Sequence, residues 1–472
     1  MRENIREIER DEELLRRAMD CWEGMAGFRR DRERNKRFTY GDQWGDMIPV
    51  EGTRMREEDY IRSQGNVPLK NNLIRRLVRN VLGVFRNRWE TPRCAARDMA
   101  ESGEAAMMQK LLDYNMDLNR MEEVYARTME EFLISGLAVH RKWYGRKCGR
   151  TDCWTDFVQP DKFFTDMESR DFRHQDCDLA GEIHDMDFRA LCAEFARSGE
   201  DIDFLASIYA GAGEGRKCRV WEVWRKTYCQ CYHCHDLAAG RYFTVEAGSE
   251  LPEGEGIRRE WRVEEEWECK FLAPGGEVLC RRRSPYSHGG HPYVFKAYPF
   301  IDGEIHSFVS DIIDQQKFTN RLISMYDWIL RASAKGVLLF PEGSLPEGSD
   351  INDIAEEWSR FNGIIVYRPK AGMPLPQQVN SNSANHGITE LLNIQMKMME
   401  DISGVNGALQ GKLENGSVSG TLYSQQTENS MTALADLLKS FDSFIRTATE
   451  MDISNIRQYY GPEKIRSIAG IA

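Results

Sequence analysis

The 472-residue chain is 41% apolar and 29% charged, with a formal net charge of -12, eleven tryptophans and twelve cysteines. This length is enough for two or three structural units, and the composition excludes a disordered chain. The acidic balance argues against a protein that wraps phosphate, which requires Lys and Arg, although an acidic chain can surround DNA and let it slide.

The opening run Met1-Arg-Glu-Asn-Ile-Arg-Glu alternates charge where a secretory leader needs an apolar core. The longest apolar runs, Val337–Phe340 and Ile364–Tyr367, are too short to cross a bilayer. The cysteines lack the spacing of a disulfide scaffold and read as reduced thiols in a cytosolic setting.

Residues 1–35 read as one charged helix with Ile5, Ile8, Leu14 and Leu15 on a thin apolar stripe, broken at Gly41-Asp42-Gln43-Trp44. Leu73, Leu77, Val81, Val84 and Phe85 keep helical spacing, with Arg75, Arg76, Arg79 and Arg86 on the other faces. That basic face is open to three readings: solvation, salt bridges to an acidic neighbour, or nucleic-acid contact. Helices follow over 102–118 and 120–135, the second stopped by Gly136. From Leu137 the period becomes two, through Val139, Lys142-Trp143-Tyr144, Trp154, Phe157 and Phe163-Phe164, with a turn at Pro160-Asp161. Short helices at 187–197 and 201–210 interrupt strands that resume over 219–232, 241–246, 261–271 and 277–282. The middle of the chain is therefore α+β with a largely antiparallel sheet.

Phe308, Ile312, Gln316, Leu322, Tyr326 and Ile329 predict a long helix closed by Gly336. A strand at 337–340, a helix at 350–361 and a strand at 363–368 make a small α/β insert. A polar loop with Pro374 and Pro376 leads to a helix over 387–402. Glycines at 404, 407, 411, 416 and 420 mark a pliable loop. Met431, Leu434, Leu438, Phe441, Ile445 and Ala448 alternate three and four apart, the seam of a long helix packed along another helix, and Pro462 ends it.

The sharpest local chemistry is Cys229-Gln-Cys231-Tyr-His-Cys234-His235. Sulfur and imidazole at this spacing can hold zinc, and Cys229, Cys231, Cys234 and His235 are the candidate ligands. On a strand, however, Cys229, Cys231, His233 and His235 share one face and Cys234 points away. We read the segment as a hairpin of unliganded thiols turning at Asp236–Gly240. Gly407-Ala-Leu-Gln-Gly411-Lys412 is one residue short of a phosphate-binding loop, and Leu413 replaces its Ser/Thr. Glu264-Glu265-Glu266 reads as a solvated strand edge, and Asp302-Gly-Glu304 as a turn. No residues assemble into a catalytic set, so the chain reads as non-enzymatic and without a cofactor.

Several stretches, in order, resemble the portal proteins of tailed bacteriophages, especially short-tailed ones. They are Gly41-Asp42-Gln43-Trp44, Asn71-Asn72-Leu73-Ile74 with Arg86-Asn87-Arg88, Phe132-Leu133-Ile134-Ser135-Gly136-Leu137-Ala138, and Val158-Gln159-Pro160-Asp161 with Phe164 and Asp166. Near the end come Ile402-Ser403-Gly404-Val405-Asn406, Ser419-Gly420-Thr421-Leu422-Tyr423-Ser424-Gln425-Gln426 and Tyr459-Tyr460-Gly461-Pro462-Glu463.

The resemblance implies a portal-type fold. Its parts are an α+β wing over 1–305, a two-helix stem over 306–336 and 384–403, and a small α/β clip over 337–383. A tunnel loop over 404–420, a long wing helix over 421–460 and a tail over 461–472 without a full crown complete it. It further implies a homo-oligomeric ring, a dodecamer, at one capsid vertex of the virion, assembled in the host bacterial cytoplasm. Double-stranded DNA would pass through it during packaging and ejection. The implied partners are the terminase large subunit, the major capsid or scaffolding protein and the tail adaptor, with no membrane. Gln410, Lys412, Asn415 and Ser417 would touch DNA from the tunnel loop, and Lys317, Arg321 and Lys335 would line the stem. Glu342, Glu347, Trp358 and Arg360 would dock motor and adaptor at the clip. The rival readings are a zinc-dependent DNA-processing enzyme built on Cys229–His235 and another head–tail connector ring protein.

Overall fold

A computed structural model describes residues 9–166, 169–209, 217–237, 239–249, 256–301, 303–335, 337–341, 350–359, 365–367, 372, 374–379, 386–405 and 431–470. In chain order the helices are α1 (Glu12–Gly24), α2 (Ala26–Tyr40), α3 (Glu57–Ser63), α4 (Leu73–Arg88), α5 (Ser102–Asn119), α6 (Met121–Ser135), α7 (Phe188–Phe195) and α8 (Gly199–Ile208). They continue with α9 (Phe308–Lys335), α10 (Ile351–Ser359), α11 (His386–Ser403), α12 (Ala435–Tyr459) and α13 (Pro462–Ala469). The strands are β1 (Met47–Val50), β2 (Thr53–Arg56), β3 (Leu137–Lys147), β4 (Arg150–Phe157), β5 (Phe163–Thr165), β6 (Leu179–Met186), β7 (Cys218–Asp236) and β8 (Arg241–Glu246). After them come β9 (Ile257–Leu272), β10 (Val278–Arg283), β11 (Tyr293–Ala297), β12 (Phe300–Ile301), β13 (Glu304–Ile305), β14 (Val337–Leu339) and β15 (Gln377–Val379). The chain divides into two compact units: 1–39 with 75–311 and 404–472, and 40–74 with 312–403.

The first unit is α+β. Its six-stranded sheet runs β10-β9-β7-β6-β5, with β8 also on β7, and a second sheet runs β11-β3-β4. Every described pairing is antiparallel, as the period of two predicts. The 19-residue β7 is the spine. β9 follows it from Trp221 to Asp236, β6 pairs with its first part, and β8 replaces β6 from Cys231 onward. The β7–β8 turn falls between Asp236 and Arg241, where the sequence places it. Phe163, Phe164, Val220, Val223 and Cys269 fill the core against Leu14 and Ala18 of α1.

Three expectations are corrected in this unit. The N-terminal helix is two, because the Gly24-Met25-Ala26-Gly27 run places two poor helix formers together and Met25 turns into the core. The apolar seam of α12 lies across β3, β4 and β11 and touches α5, instead of running along a single helix. Helical spacing specifies a buried face, not the element that buries it. Pro462 also opens a helix: it occupies the first turn of α13, where a missing N–H costs nothing.

The second unit contains the Ile312–Lys335 part of α9, α10, α11, the segment 40–74, the hairpin β1–β2 and the antiparallel pair β14–β15. Segment 40–74 thus groups with the later helices and not with the residues around it in the sequence. In the insert, β14 pairs with Gln377–Val379, which the sequence presents as part of a polar loop. Residues 365–367, expected to be strand, carry none. A three-residue strand with two glutamines shows no alternation to detect. Among the described residues no helix is long and apolar enough to cross a membrane.

Candidate functional site

In the second unit, α9 presents Gln316, Asn320 and Ser324 at successive turns as a polar stripe, with Gln316 and Asn320 fully buried. Gln316 Oε1 accepts from the N–H groups of Leu73 (3.0 Å) and Ile74 (3.2 Å), capping the first turn of α4. Its Nε2 donates to Asn71 O at 2.7 Å and to Asn320 Oδ1 at 2.9 Å. Asn320 Oδ1 also accepts from Asn71 N at 3.1 Å, and its Nδ2 donates to Gln43 Oε1 at 2.7 Å. Ser324 Oγ accepts from Leu69 N, while Trp44 Nε1 donates to Leu69 O. The stripe therefore fastens the Gly41–Trp44 and Asn71–Ile74 stretches to α9. Gln316→Leu strands the Ile74 donor, leaves Leu73 N only its bond to Asn71 O at 2.9 Å, and takes a donor from Asn71 O. At about 1–3 kcal/mol for each buried group left without a partner, we expect a loss on the order of 3 kcal/mol in denaturant unfolding. A loss within about 0.5 kcal/mol, as for an ordinary surface change, would contradict this role.

Lys317 Nζ lies 2.8 Å from Asp46 and 3.5 Å from Glu57, and Arg321 lies 2.7 Å from Glu57. The structure thus places Lys317 and Arg321, two of the three cations expected to line a stem, on carboxylates of their own unit. Lys335 ends α9, but its side chain is outside the described residues. Trp358 is half-buried on α10. Glu342, Glu347, Arg360, Gln410, Lys412, Asn415 and Ser417 all lie outside the described residues.

In the first unit several charged clusters are internal. Fully buried Glu222 on β7 receives Arg141 Nη2 at 3.1 Å, His184 Nε2 at 2.8 Å and Trp224 Nε1 at 2.8 Å. Burial alone would raise its carboxyl, but Arg141, His184 and Trp224 outweigh that and hold it at about 2. A carboxylate already accepting from three donors serves as an anchor and is a poor general base. Lys142 of β3 meets Asp452 of α12 at 2.6 Å, both buried. Asp152 of β4 binds Lys464 at 2.7 Å, Tyr114 at 3.0 Å and Tyr460, tying α5 and α13 to the sheet. Along α4, Arg75 pairs with Glu130 and Arg88 with Asp442. Apart from Trp224, which lies two residues from Glu222 on β7, none of these partners is visible in local spacing, since each joins segments far apart in the chain.

All twelve cysteines are unbridged. Cys234 faces away from Cys229, Cys231, His233 and His235, as strand alternation requires, and His235 stacks on Tyr242 with ring centroids 3.9 Å apart. Of this segment's donors, Cys231 and His233 converge with Glu264. The four-residue set Cys229, Cys231, Cys234 and His235 does not.

The family model described as "Phage P22-like portal protein" matches residues 15–470. The chain belongs to the phage P22-like portal protein family. It is also similar to the "Portal protein" of Helicobacter pylori bacteriophage KHP30, with 19% identity over 411 residues, 86% of this chain and 61% of that protein. The chain thus spans about 61% of that relative's length.

Proposed function

We propose that the chain is the subunit of a closed homo-oligomeric ring, a dodecamer, at one vertex of a phage capsid, through which double-stranded DNA enters and leaves. The observation that carries this reading is the family match over residues 15–470. Two physical features support it. On α9, Phe318, Met325 and Trp328 are exposed, Trp328 at 56%. On α11, Leu391, Ile394, Met398 and Ile402 form an exposed stripe at intervals of three and four. Apolar faces of this kind mark contacts between proteins, and a neighbouring copy related by ring symmetry covers them. The charge of -12 per chain, summed around a ring, favours a bore that passes phosphate without gripping it.

In this reading residues 1–305 form the wing with the long helix 421–460, and 306–336 and 384–403 form the stem. Residues 337–383 form the clip that meets the terminase large subunit and later the tail adaptor. Scaffolding or major capsid protein meets the rim. Residues 404–420, with Gln410, Lys412, Asn415 and Ser417, face the DNA. Lys317 and Arg321, already paired with carboxylates, shape the stem more than they hold phosphate. Light scattering of the purified chain, with scaffolding protein supplied, should give roughly 655 kDa for twelve copies of 54.6 kDa. Trp328→Asp combined with Ile394→Asp should return monomers. A wild-type chain that stays monomeric or dimeric, or a double variant that still closes, would overturn the proposal.

A further inference from the structure

We propose that Cys231 and His233 of β7 and Glu264 of β9 bind one zinc-like divalent cation at the outer part of the six-stranded sheet. This inference is independent of the ring reading. Residues 231 and 233 alternate along β7 and share a face. Glu264 pairs in register with Cys229 and so lies on that same face, diagonal to Cys231. The thiol sulfur, an imidazole nitrogen and a carboxylate oxygen all lie within 4.8 Å of one another. Bonds of about 2.0–2.3 Å from zinc place two ligands at most about 4.6 Å apart, so small side-chain rotations close the set.

The chemistry of the donors selects the ion. A sulfur, a nitrogen and an oxygen suit zinc or a neighbouring transition metal, whereas calcium and magnesium favour oxygen alone. His233 Nε2 already contacts the Glu264 carboxylate, and Cys231 is buried at 2% exposure. Glu246 of β8 stands opposite Cys231 and is paired with Arg283. β7 is hydrogen-bonded on both sides there, by β8 and β9, so the ligands sit on a fixed backbone. On binding, the thiol proton leaves to solvent as the sulfur–metal bond forms, and a water completes four-coordination. The metal would tie β7 to β9 with a side-chain link.

The test uses the full chain, dialysed against Zn2+ and, separately, Co2+. We expect one equivalent per chain and, with cobalt, a tetrahedral visible spectrum with a thiolate charge-transfer band. Cys231→Ser should abolish that band, and His233→Asn and Glu264→Gln should each weaken binding at least tenfold. Glu264 is half-exposed, so its substitution leaves the core intact. Cys234→Ser, on the opposite face, should bind as wild type. Substoichiometric metal in the wild type, an unchanged band in Cys231→Ser, or full binding by Glu264→Gln would overturn the site. Loss in Cys234→Ser equal to that in Cys231→Ser would also overturn it.

Discussion

Asp452→Ala is expected to destabilise the first unit by about 3–5 kcal/mol, the cost of leaving a buried charge without its partner. Lys142 and Asp452 are both buried, 2.6 Å apart, with Thr155 Oγ1 also 2.9 Å from the Lys142 nitrogen. Loss of water pushes the Lys142 ammonium down and the Asp452 carboxyl up, each more than the partner's attraction offsets. The pair therefore adds little beyond an apolar contact of the same shape, and only its breakage is costly. Lys142→Met with Asp452→Leu should accordingly recover most of the loss. Chemical denaturation of the three proteins decides this. A single variant within about 1 kcal/mol of wild type, or a double variant no better than the single, contradicts it.

Gly136→Ala should be nearly as damaging. Gly136 ends α6 at φ +79°, and an added Cβ would lie 2.7 Å from Ile305 Cγ2, 2.8 Å from His306 O and 3.0 Å from Tyr298 O. A left-handed alanine costs about 1–2 kcal/mol, and overpacking adds about 1–3 more. The expected total is about 2–5 kcal/mol, read as a lowered denaturation midpoint. Gly149 has φ +81° and open space around it, so Gly149→Ala isolates the backbone share. Equal losses at the two sites would show that the close approach at Gly136 does not matter.

These two positions illustrate what the sequence makes legible. Gly136 was readable as a helix stop, because a glycine after an apolar-periodic run has one strong meaning. What crowds it was not, since Ile305 and His306 arrive from far along the chain. The α9 helix and the antiparallel sheet followed from periodicity, as did the one-face placement of Cys229, Cys231, His233 and His235. Gln316 was legible as helical but not as the clasp of Asn71–Ile74, because a polar side chain in an apolar stripe names no partner. Glu264 read as part of a solvated acidic run, and only the β7–β9 register sets it beside Cys231 and His233. The break at Met25 and the pairing of β14 with β15 escaped for a different reason, being too short to leave a periodic signal. Gln410, Lys412, Asn415 and Ser417, expected in a tunnel loop, and Glu342, Glu347 and Arg360, expected in a clip, lie outside the described residues, so the roles proposed for them rest on the family resemblance.

The ring is tested most directly by electron cryomicroscopy of the purified full chain with scaffolding protein. Closed rings with an open central channel are expected, with the exposed faces of α9 and α11 covered by adjacent copies. Monomers, open filaments, or rings in which Trp328 and Ile394 remain in solvent would contradict it.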